Sequence, residues 1–247
     1  MRSSAHVAYA PINALKPFAA DIWIVDGPEI AMRYLGTSIP FPTRMTVVRL
    51  ASGQLWVHSP IAWDEGLAAA VVKLGPVSWL VAPNSLHYWY LPVWQAKFPA
   101  ARSYGVSTLH KRARRPVRLD EELTDEPPRA WGDTFHQCLL PGSLLTEVDF
   151  FHLATRTLVL TDLIENFELD RVRRAWMRWA LRLFGGAAPD GTAPRDMRWS
   201  FIGHRRQVRA AVRRMIAWAP ERIVLAHGRC YERDGVAELR RAFRWVL

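Results

Sequence analysis

The sequence has little cysteine, with only Cys138 and Cys230 among its 247 residues. Two cysteines are too few for a disulfide framework, so a reducing compartment is the simplest expectation, although these thiols would pair if the fold brought them together. The opening segment, residues 1–18, lacks the apolar core of a secretory signal. We therefore expect a cytoplasmic protein.

The sequence also lacks a long apolar run without polar groups. Its longest uncharged stretch covers residues 74–96 and carries Pro76, Pro83, Asn84, Ser85, His87, Pro92 and Gln95. Prolines and polar side chains are costly in lipid, so this stretch predicts a buried strand followed by an irregular loop. We expect no association with a membrane.

Lysine is absent from the last third of the chain, where the charge is concentrated. Residues 169–247 contain 18 arginines and 7 acids, whereas the whole chain carries a formal charge of +10. A basic region could attract an anionic substrate, lipid or nucleic acid. These arginines alternate with apolar residues at helical spacing, however, which favours solvated helix faces and makes nucleic acid an unlikely partner.

Half of the residues are hydrophobic, and no low-complexity tract divides the chain, so residues 1–247 are interpreted as one domain. The pattern predicts hairpins over 46–58 and 147–162, further strands over 21–27, 77–82, 102–106, 134–140 and 222–228, and a surface loop over 120–128. Helices are predicted over 64–73, 92–98, 169–184, 204–217 and 235–247. This order of elements indicates an α/β protein of two packed sheets with helices outside, a four-layer αββα sandwich.

Two of these helices have clear apolar stripes. Residues 169–184 place Val172, Trp176, Trp179 and Leu183 on one side, and residues 204–217 do the same with Val208, Val212, Met215 and Ile216. Such spacing predicts that both stripes pack inward and leave the arginines in solvent.

Polar residues stand where four apolar strands end. They are His58, His87, Asp162 and His227. Strand ends of an α/β core bring distant residues together, and two imidazoles with a carboxylate could hold Zn²⁺ or Fe²⁺ with open positions for substrate. The alternative is that each histidine is hydrogen-bonded structurally and that Asp162 caps a turn.

Several motifs resemble those of the metallo-β-lactamase superfamily. A strand followed by Thr161-Asp162-Leu163 and the segment ending in His227-Gly228 are similar to its last two ligand motifs, and Pro141-Gly142-Ser143 is similar to its PGH turn. The chain from about residue 15 resembles the DUF4336 group of that superfamily through PFPTRM (40–45), WVHSP (56–60), APRD (193–196) and AHGR (226–229).

The resemblance implies a metallo-β-lactamase-type αββα sandwich and a hydrolase-like site. In the loop over residues 83–89 only His87 remains as a ligand, and Ser143 stands where the superfamily has histidine. We therefore expect at most one Zn or Fe ion, held by His87, Asp162 and His227.

Asp162 and His58 are the candidate catalytic residues, and Arg195 and Arg229 are the candidate binding residues for a small anionic substrate such as an ester, lactone or phosphoester. One alternative is a metal-free scaffold that binds an anionic partner through its basic C-terminal half. The other is a nucleic-acid processing protein, which ranks last because the histidine cluster for two metals is incomplete.

Overall fold

The computed structural model describes residues 4–34 and 37–247. The strands there are β1 (Lys16–Ala19), β2 (Ile22–Tyr34), β3 (Thr37–Arg49), β4 (Leu55–His58), β5 (Val77–Ala82), β6 (Arg102–Val106), β7 (Glu121–Leu123), β8 (Phe135–Leu140), β9 (Glu147–His152), β10 (Thr157–Val159) and β11 (Arg222–Val224). The helices are α1 (Glu65–Val72), α2 (Leu91–Lys97), α3 (Leu109–Arg112), α4 (Ala175–Phe184), α5 (Arg195–Trp199), α6 (Arg205–Ala217) and α7 (Gly235–Ala242), with a short 3₁₀ helix over Leu169–Arg171.

The strands form two sheets, β1 to β7 in sequence order and β11-β10-β9-β8. Strands β1 to β4 are antiparallel neighbours, whereas β4 to β7 run parallel because helices and loops carry the chain back between them. Both predicted hairpins are confirmed. Strand β3 pairs with β4, and β9 pairs with β10, which ends at Val159 rather than at residue 162.

The second sheet shows why two layers of core form. In β9, Val148 and Phe150 belong to the core shared with the first sheet, while Phe151 belongs to the core beneath α6 and α7. In β10, Val159 and Leu158 divide in the same way. Successive side chains of a strand point to opposite faces, so each strand serves two apolar layers.

Helices cover the outer faces of both sheets. Helix α2 packs on β5, α6 packs on β8, and α7 packs on α6. The predicted stripe of α6 is largely confirmed, since Val208, Val212 and Met215 are buried and Ile216 is half-buried. The αββα sandwich is therefore confirmed.

The prediction for residues 169–184 is wrong in two respects. The regular helix begins only at Ala175, and Val172 is buried ahead of it. Trp176, Trp179 and Leu183 are exposed, and Met177 on the neighbouring face is the buried side chain of the helix. Helical periodicity reveals an apolar stripe, but it does not reveal whether another element covers that stripe.

The predicted surface loop over residues 120–128 is also wrong in part, because it contains β7. This strand lies at the edge of the first sheet, with Glu121 and Glu122 exposed and Leu123 buried. Charged side chains are common on edge strands because they discourage pairing with other chains. Both cysteines are free thiols.

No helix among the described residues is long and apolar enough to cross a bilayer.

Candidate metal centre

Two of the candidate ligands leave the second sheet side by side. Strands β10 and β11 are parallel, with Val159 opposite Val224, and Asp162 and His227 each lie three residues beyond these positions. Parallel strands in register deliver the residues that follow them to the same edge of the sheet. His227 Nε2 accordingly lies 3.2 Å from Asp162 Oδ1.

The third candidate ligand comes from the first sheet. The loop that follows β5 is fixed to the start of β9, because the backbone N–H of Val148 donates to the Pro83 carbonyl at 3.0 Å. This loop places His87 Nε2 3.4 Å from Asp162 Oδ1. The potential ligand atoms of His87, Asp162 and His227 all lie within 4.8 Å of one another. The structure thus brings these three residues together.

Hydrogen bonds to Nδ1 orient both imidazole rings. His227 Nδ1 lies 3.1 Å from the carbonyl oxygen of Pro42, which can only accept, so Nδ1 is the donor there. His87 Nδ1 lies 2.6 Å from Ser59 Oγ, a hydroxyl that can donate or accept. Partners of this kind commonly fix the rings of metal-binding histidines.

Asn84 determines how the Asp162 carboxylate is turned. The Asn84 amide nitrogen donates to Asp162 Oδ2 at 2.7 Å and to Glu147 Oε2 at 2.9 Å. Its carbonyl oxygen accepts from the backbone N–H groups of Leu86 and His87 at 2.8 and 2.9 Å. One buried side chain therefore shapes the His87 loop and leaves Asp162 Oδ1 facing the two imidazoles.

Glu147 holds the backbone on the other side of Asp162. Its two carboxylate oxygens accept from the N–H groups of Thr161 and Asp162 at 2.8 and 3.0 Å. The position follows from the sheet, because β9 and β10 pair with Phe150 opposite Val159, and Glu147 therefore faces the chain just beyond the end of β10.

The buried charges of the site shift several pKa values. Burial alone would raise the pKa of Asp162, but the imidazoles of His87 and His227 hold it well below its ordinary value. Burial would lower the pKa of His87, but the Asp162 carboxylate outweighs this effect and raises it. Burial, and then the charge of His87, lowers the pKa of His58 well below its ordinary value. Asp162 is therefore an anion, and His58 is neutral.

The segment that carries His227 is clamped by a buried arginine. Arg44 donates to the carbonyls of Leu225 and Gly228, to the Cys230 sulfur at 3.2 Å, and through Nε to Asp26 Oδ1 at 2.9 Å. The carbonyls of Leu225 and Gly228 and the Cys230 sulfur share the two hydrogens of Nη1, while Nε and Nη2 face Asp26 Oδ1. The position of His227 therefore depends on β2 and β3 of the first sheet.

Gly228 is required where this segment passes the loop after β10. Its φ is +86°, and a Cβ there would lie 2.1 Å from the carbonyl oxygen of Asn166. The close approach is fixed by the N–H of Arg229, which donates to the same oxygen at 2.9 Å. Only glycine fits both the backbone conformation and the space.

The other predicted site residues are not among the three that gather. His58 is buried between the sheets, stacked on Trp56 with ring centroids 5.1 Å apart, and is not one of the three residues that gather. Arg229 is exposed two residues after His227, and Arg195 is exposed at the first residue of α5. Ser143 is exposed, and its hydroxyl donates to the Ser200 carbonyl at 3.0 Å.

The sequence analysis did not identify the residues that support the site. They are Asp26, Arg44, Ser59, Asn84 and Glu147. A usable signal existed for Glu147, because a charged residue at the start of an apolar strand must find a partner when it is buried.

The donor set fits a divalent metal ion. Ligand atoms placed 2.0–2.1 Å from zinc at tetrahedral angles are separated by about 3.3 Å. The Asp162 oxygen lies 3.4 and 3.2 Å from the two imidazole nitrogens. Two imidazoles and one carboxylate also leave coordination positions open, as catalytic sites require.

The fold is that of the metallo-β-lactamases, as solved structures show. A structure of the DIM-1 metallo-β-lactamase exposed to ceftazidime matches with a TM-score of 0.60 and 12% identity over 93% of this chain and 94% of that one. FIM-1 from Pseudomonas aeruginosa, in its mono-zinc form, matches with a TM-score of 0.59 and 11% identity over 95% and 96%. A metallo-β-lactamase from Hirschia baltica matches with a TM-score of 0.57 and 10% identity over 92% and 95%.

The protein is thus a metallo-β-lactamase-fold protein with a His/Asp/His group that could hold a metal ion. Residues 21–173 match the profile of the family described as "Domain of unknown function (DUF4336)", which covers more than half of the chain. The chain belongs to the DUF4336 family. No curated protein matches it in sequence.

Proposed function

We propose that this protein is a metal-dependent hydrolase that uses a single Zn or Fe ion held by His87, Asp162 and His227. The observation that carries the proposal is the convergence of two Nε2 atoms and one carboxylate oxygen, all within 4.8 Å of one another. Each imidazole has its Nδ1 engaged by Ser59 or by the Pro42 carbonyl, so both Nε2 atoms are directed at Asp162.

A bound divalent ion would supply Lewis acidity, which polarises an ester, lactone or phosphoester and lowers the pKa of water. The remaining roles belong to residues of the chain. Asp162 supplies a buried negative charge that is kept ionised by its neighbours. His58 lies in the core as a neutral imidazole, where we propose that it supports His87 rather than touching the substrate.

The proposed substrate is small and anionic at one end. The side chains of His87, Asp162 and His227 are only 10%, 9% and 7% exposed, so little of the group is accessible to a substrate. Arg229 is exposed two residues after His227, and a guanidinium can hold a carboxylate or phosphate by paired hydrogen bonds. Arg195 is a second candidate for that role.

The structural relatives support a single ion. FIM-1 adopts the same fold in a mono-zinc form, so the fold accommodates one zinc. Here the Asn84 amide donates to Asp162 Oδ2, and Oδ1 is the carboxylate oxygen that faces the two imidazole Nε2 atoms.

Metal content is the decisive test. Protein purified without a metal-binding tag, reconstituted with Zn²⁺ or anaerobically with Fe²⁺ and then desalted, should retain about one ion per chain by elemental analysis. Asp162→Ala and His227→Ala should lose it, because each removes one of the three protein ligands. Asp190→Ala is the matched control, because the Asp190 side chain is 80% exposed.

Circular dichroism should show that the variants remain folded, and Asp162→Asn, which preserves shape, replaces the alanine variant if that one does not fold. The reconstituted protein should hydrolyse members of a panel of aryl esters, lactones and phosphodiesters. Wild-type protein that retains neither ion, or an Asp162→Ala protein that retains as much as wild type, would contradict the proposal and favour the metal-free scaffold.

A further inference from the structure

Helix α4 presents an apolar face that no described part of the chain covers. Trp176, Trp179 and Leu183 lie at helical spacing on one side, and their side chains are 54%, 64% and 41% exposed. The helix is nevertheless attached to the body through Met177, which is buried on the neighbouring face. A large exposed apolar face of this kind marks a contact surface.

The polar part of this helix is entirely basic. Residues 173–184 contain four arginines and no acid, namely Arg173, Arg174, Arg178 and Arg182. Arg174 and Arg182 are exposed, whereas Arg178 is half-buried and donates to the Val172 carbonyl at 3.1 Å. The apolar face is therefore bordered by positive charge.

A second exposed apolar pair lies on the segment linked to the end of this helix. The N–H of Thr192 donates to the carbonyl of Gly185, which follows α4, and Arg198 of α5 donates to the Thr192 hydroxyl at 2.7 Å. Trp199 and Ile202, in and just after α5, are 65% and 69% exposed.

We propose that α4 docks on the surface of an anionic phospholipid bilayer, contrary to the expectation from the sequence that the protein does not associate with a membrane, because Trp176, Trp179 and Leu183 are exposed. Tryptophans and leucine on one face would enter the boundary between headgroups and acyl chains, and the bordering arginines would contact lipid phosphates. The helix has 10 residues, too few to cross a bilayer but enough to lie in its interface.

The positive charge around this face favours an anionic bilayer over a second copy of the chain or a nucleic acid. A second copy of the chain would bring two arginine-lined faces together, and like charges across an interface are unfavourable. A nucleic acid would satisfy the arginines but would leave Leu183 without an apolar partner. An anionic bilayer satisfies both parts of the surface. This proposal is independent of the metal centre.

Vesicle sedimentation tests the proposal directly. The full chain is mixed with vesicles of phosphatidylcholine alone or of phosphatidylcholine with phosphatidylglycerol, and the bound fraction is measured at low and high salt. We expect binding only to the anionic vesicles. Trp176→Ala/Trp179→Ala should lower the partition coefficient at least about tenfold, since two large apolar side chains no longer leave water.

Arg174→Gln/Arg182→Gln should lower the partition coefficient by about 30-fold, which corresponds to about 1 kcal/mol for each arginine near the surface. Val72→Ser is the matched control, because Val72 is a 52% exposed apolar residue of α1, a helix with no arginine. It should bind like wild type. All variants change exposed side chains, and their melting curves should match that of wild type.

Several results would overturn the proposal. These are wild-type protein that does not sediment with anionic vesicles, a tryptophan variant that binds as well as wild type, or a wild-type dimer that the tryptophan variant converts to a monomer by light scattering while neither binds vesicles. Binding to a single-stranded oligonucleotide that the tryptophan variant loses, without any vesicle binding, would assign the surface to nucleic acid instead.

Discussion

Replacing Asn84 with alanine should disturb the geometry of the candidate metal centre while keeping all three candidate ligands, because Asn84 is not itself one of them. The substitution removes the hydrogen bonds that the amide nitrogen donates to the carboxylates of Asp162 and Glu147, its 3.1 Å contact with the Thr161 hydroxyl, and two bonds accepted from the backbone of Leu86 and His87. Asn84 is fully buried, so no solvent replaces these partners without rearrangement.

The size of the effect follows from these contacts. A hydrogen bond to a charged group contributes roughly 1.5–3 kcal/mol and a neutral one about 1 kcal/mol, and neighbouring contributions are not additive. We expect Asn84→Ala to lower the free energy of unfolding by about 3 kcal/mol. Loss of a residue that orients ligands typically weakens metal binding by about 10- to 100-fold, and we expect the same here.

Urea titration gives the free energy of unfolding, and competition with a chromophoric chelator gives the zinc affinity. Ser85→Ala is the control, since Ser85 is the next residue in the same loop and is half-buried. It should change neither quantity appreciably. If Asn84→Ala bound zinc as tightly as wild type, the orientation of Asp162 by Asn84 would be irrelevant to the site, and the reasoning would be refuted.

Two further predictions concern buried charges. Arg44→Met should lower the free energy of unfolding by about 3 kcal/mol in urea titration, because it leaves the buried Asp26 with the Lys16 ion pair and removes a donor from the carbonyls of Leu225 and Gly228. Arg49→Met on the same strand should cost less than about 1 kcal/mol, because its pair with Asp21 is exposed, and equal effects would contradict this contrast. Burial raises the pKa of Asp149 well above its ordinary value, so the folded protein binds this proton more tightly and stability falls as pH rises above about 4. Asp149→Asn should remove that slope and raise stability near pH 7 by at least about 1 kcal/mol, and an unchanged profile of melting temperature against pH would disprove it.

Much of the architecture could be predicted from the sequence because strands and amphipathic helices have short repeat lengths. The hairpins and the central strand over residues 77–82 follow from apolar patterning and turn residues. The proximity of Asp162 and His227 follows from an equally simple rule, since both residues follow apolar strands that are parallel neighbours in the sheet. The order of the elements indicated the layer arrangement, and the family resemblance implied the same one.

The supporting residues could not be predicted because their roles are defined by contacts far apart in sequence. Arg44 bonds to carbonyls more than 180 residues away, and Asn84 bonds to Asp162 across 78 residues. Nothing in the local sequence of either residue indicates these partners. The exposure of Trp176 and Trp179 could not be predicted for the same reason. The spacing of apolar residues is a local property, whereas their burial depends on which distant elements pack against them.

Whether this site could hold one ion or two depends on which residues the loop after β5 carries. In the family resemblance, that loop would supply several ligands and the aspartate would bridge two metals. Here Asn84 takes the place of a ligand and turns its amide nitrogen toward Asp162 Oδ2 at 2.7 Å. An N–H donor at this distance occupies one lone pair of Oδ2, so this oxygen has one lone pair left for a cation. Glu147 accepts a second bond from the same amide, which fixes its orientation. Asn84, which stands in place of a ligand, therefore also stabilises the arrangement for which we propose a single ion, with Oδ1 as its carboxylate ligand.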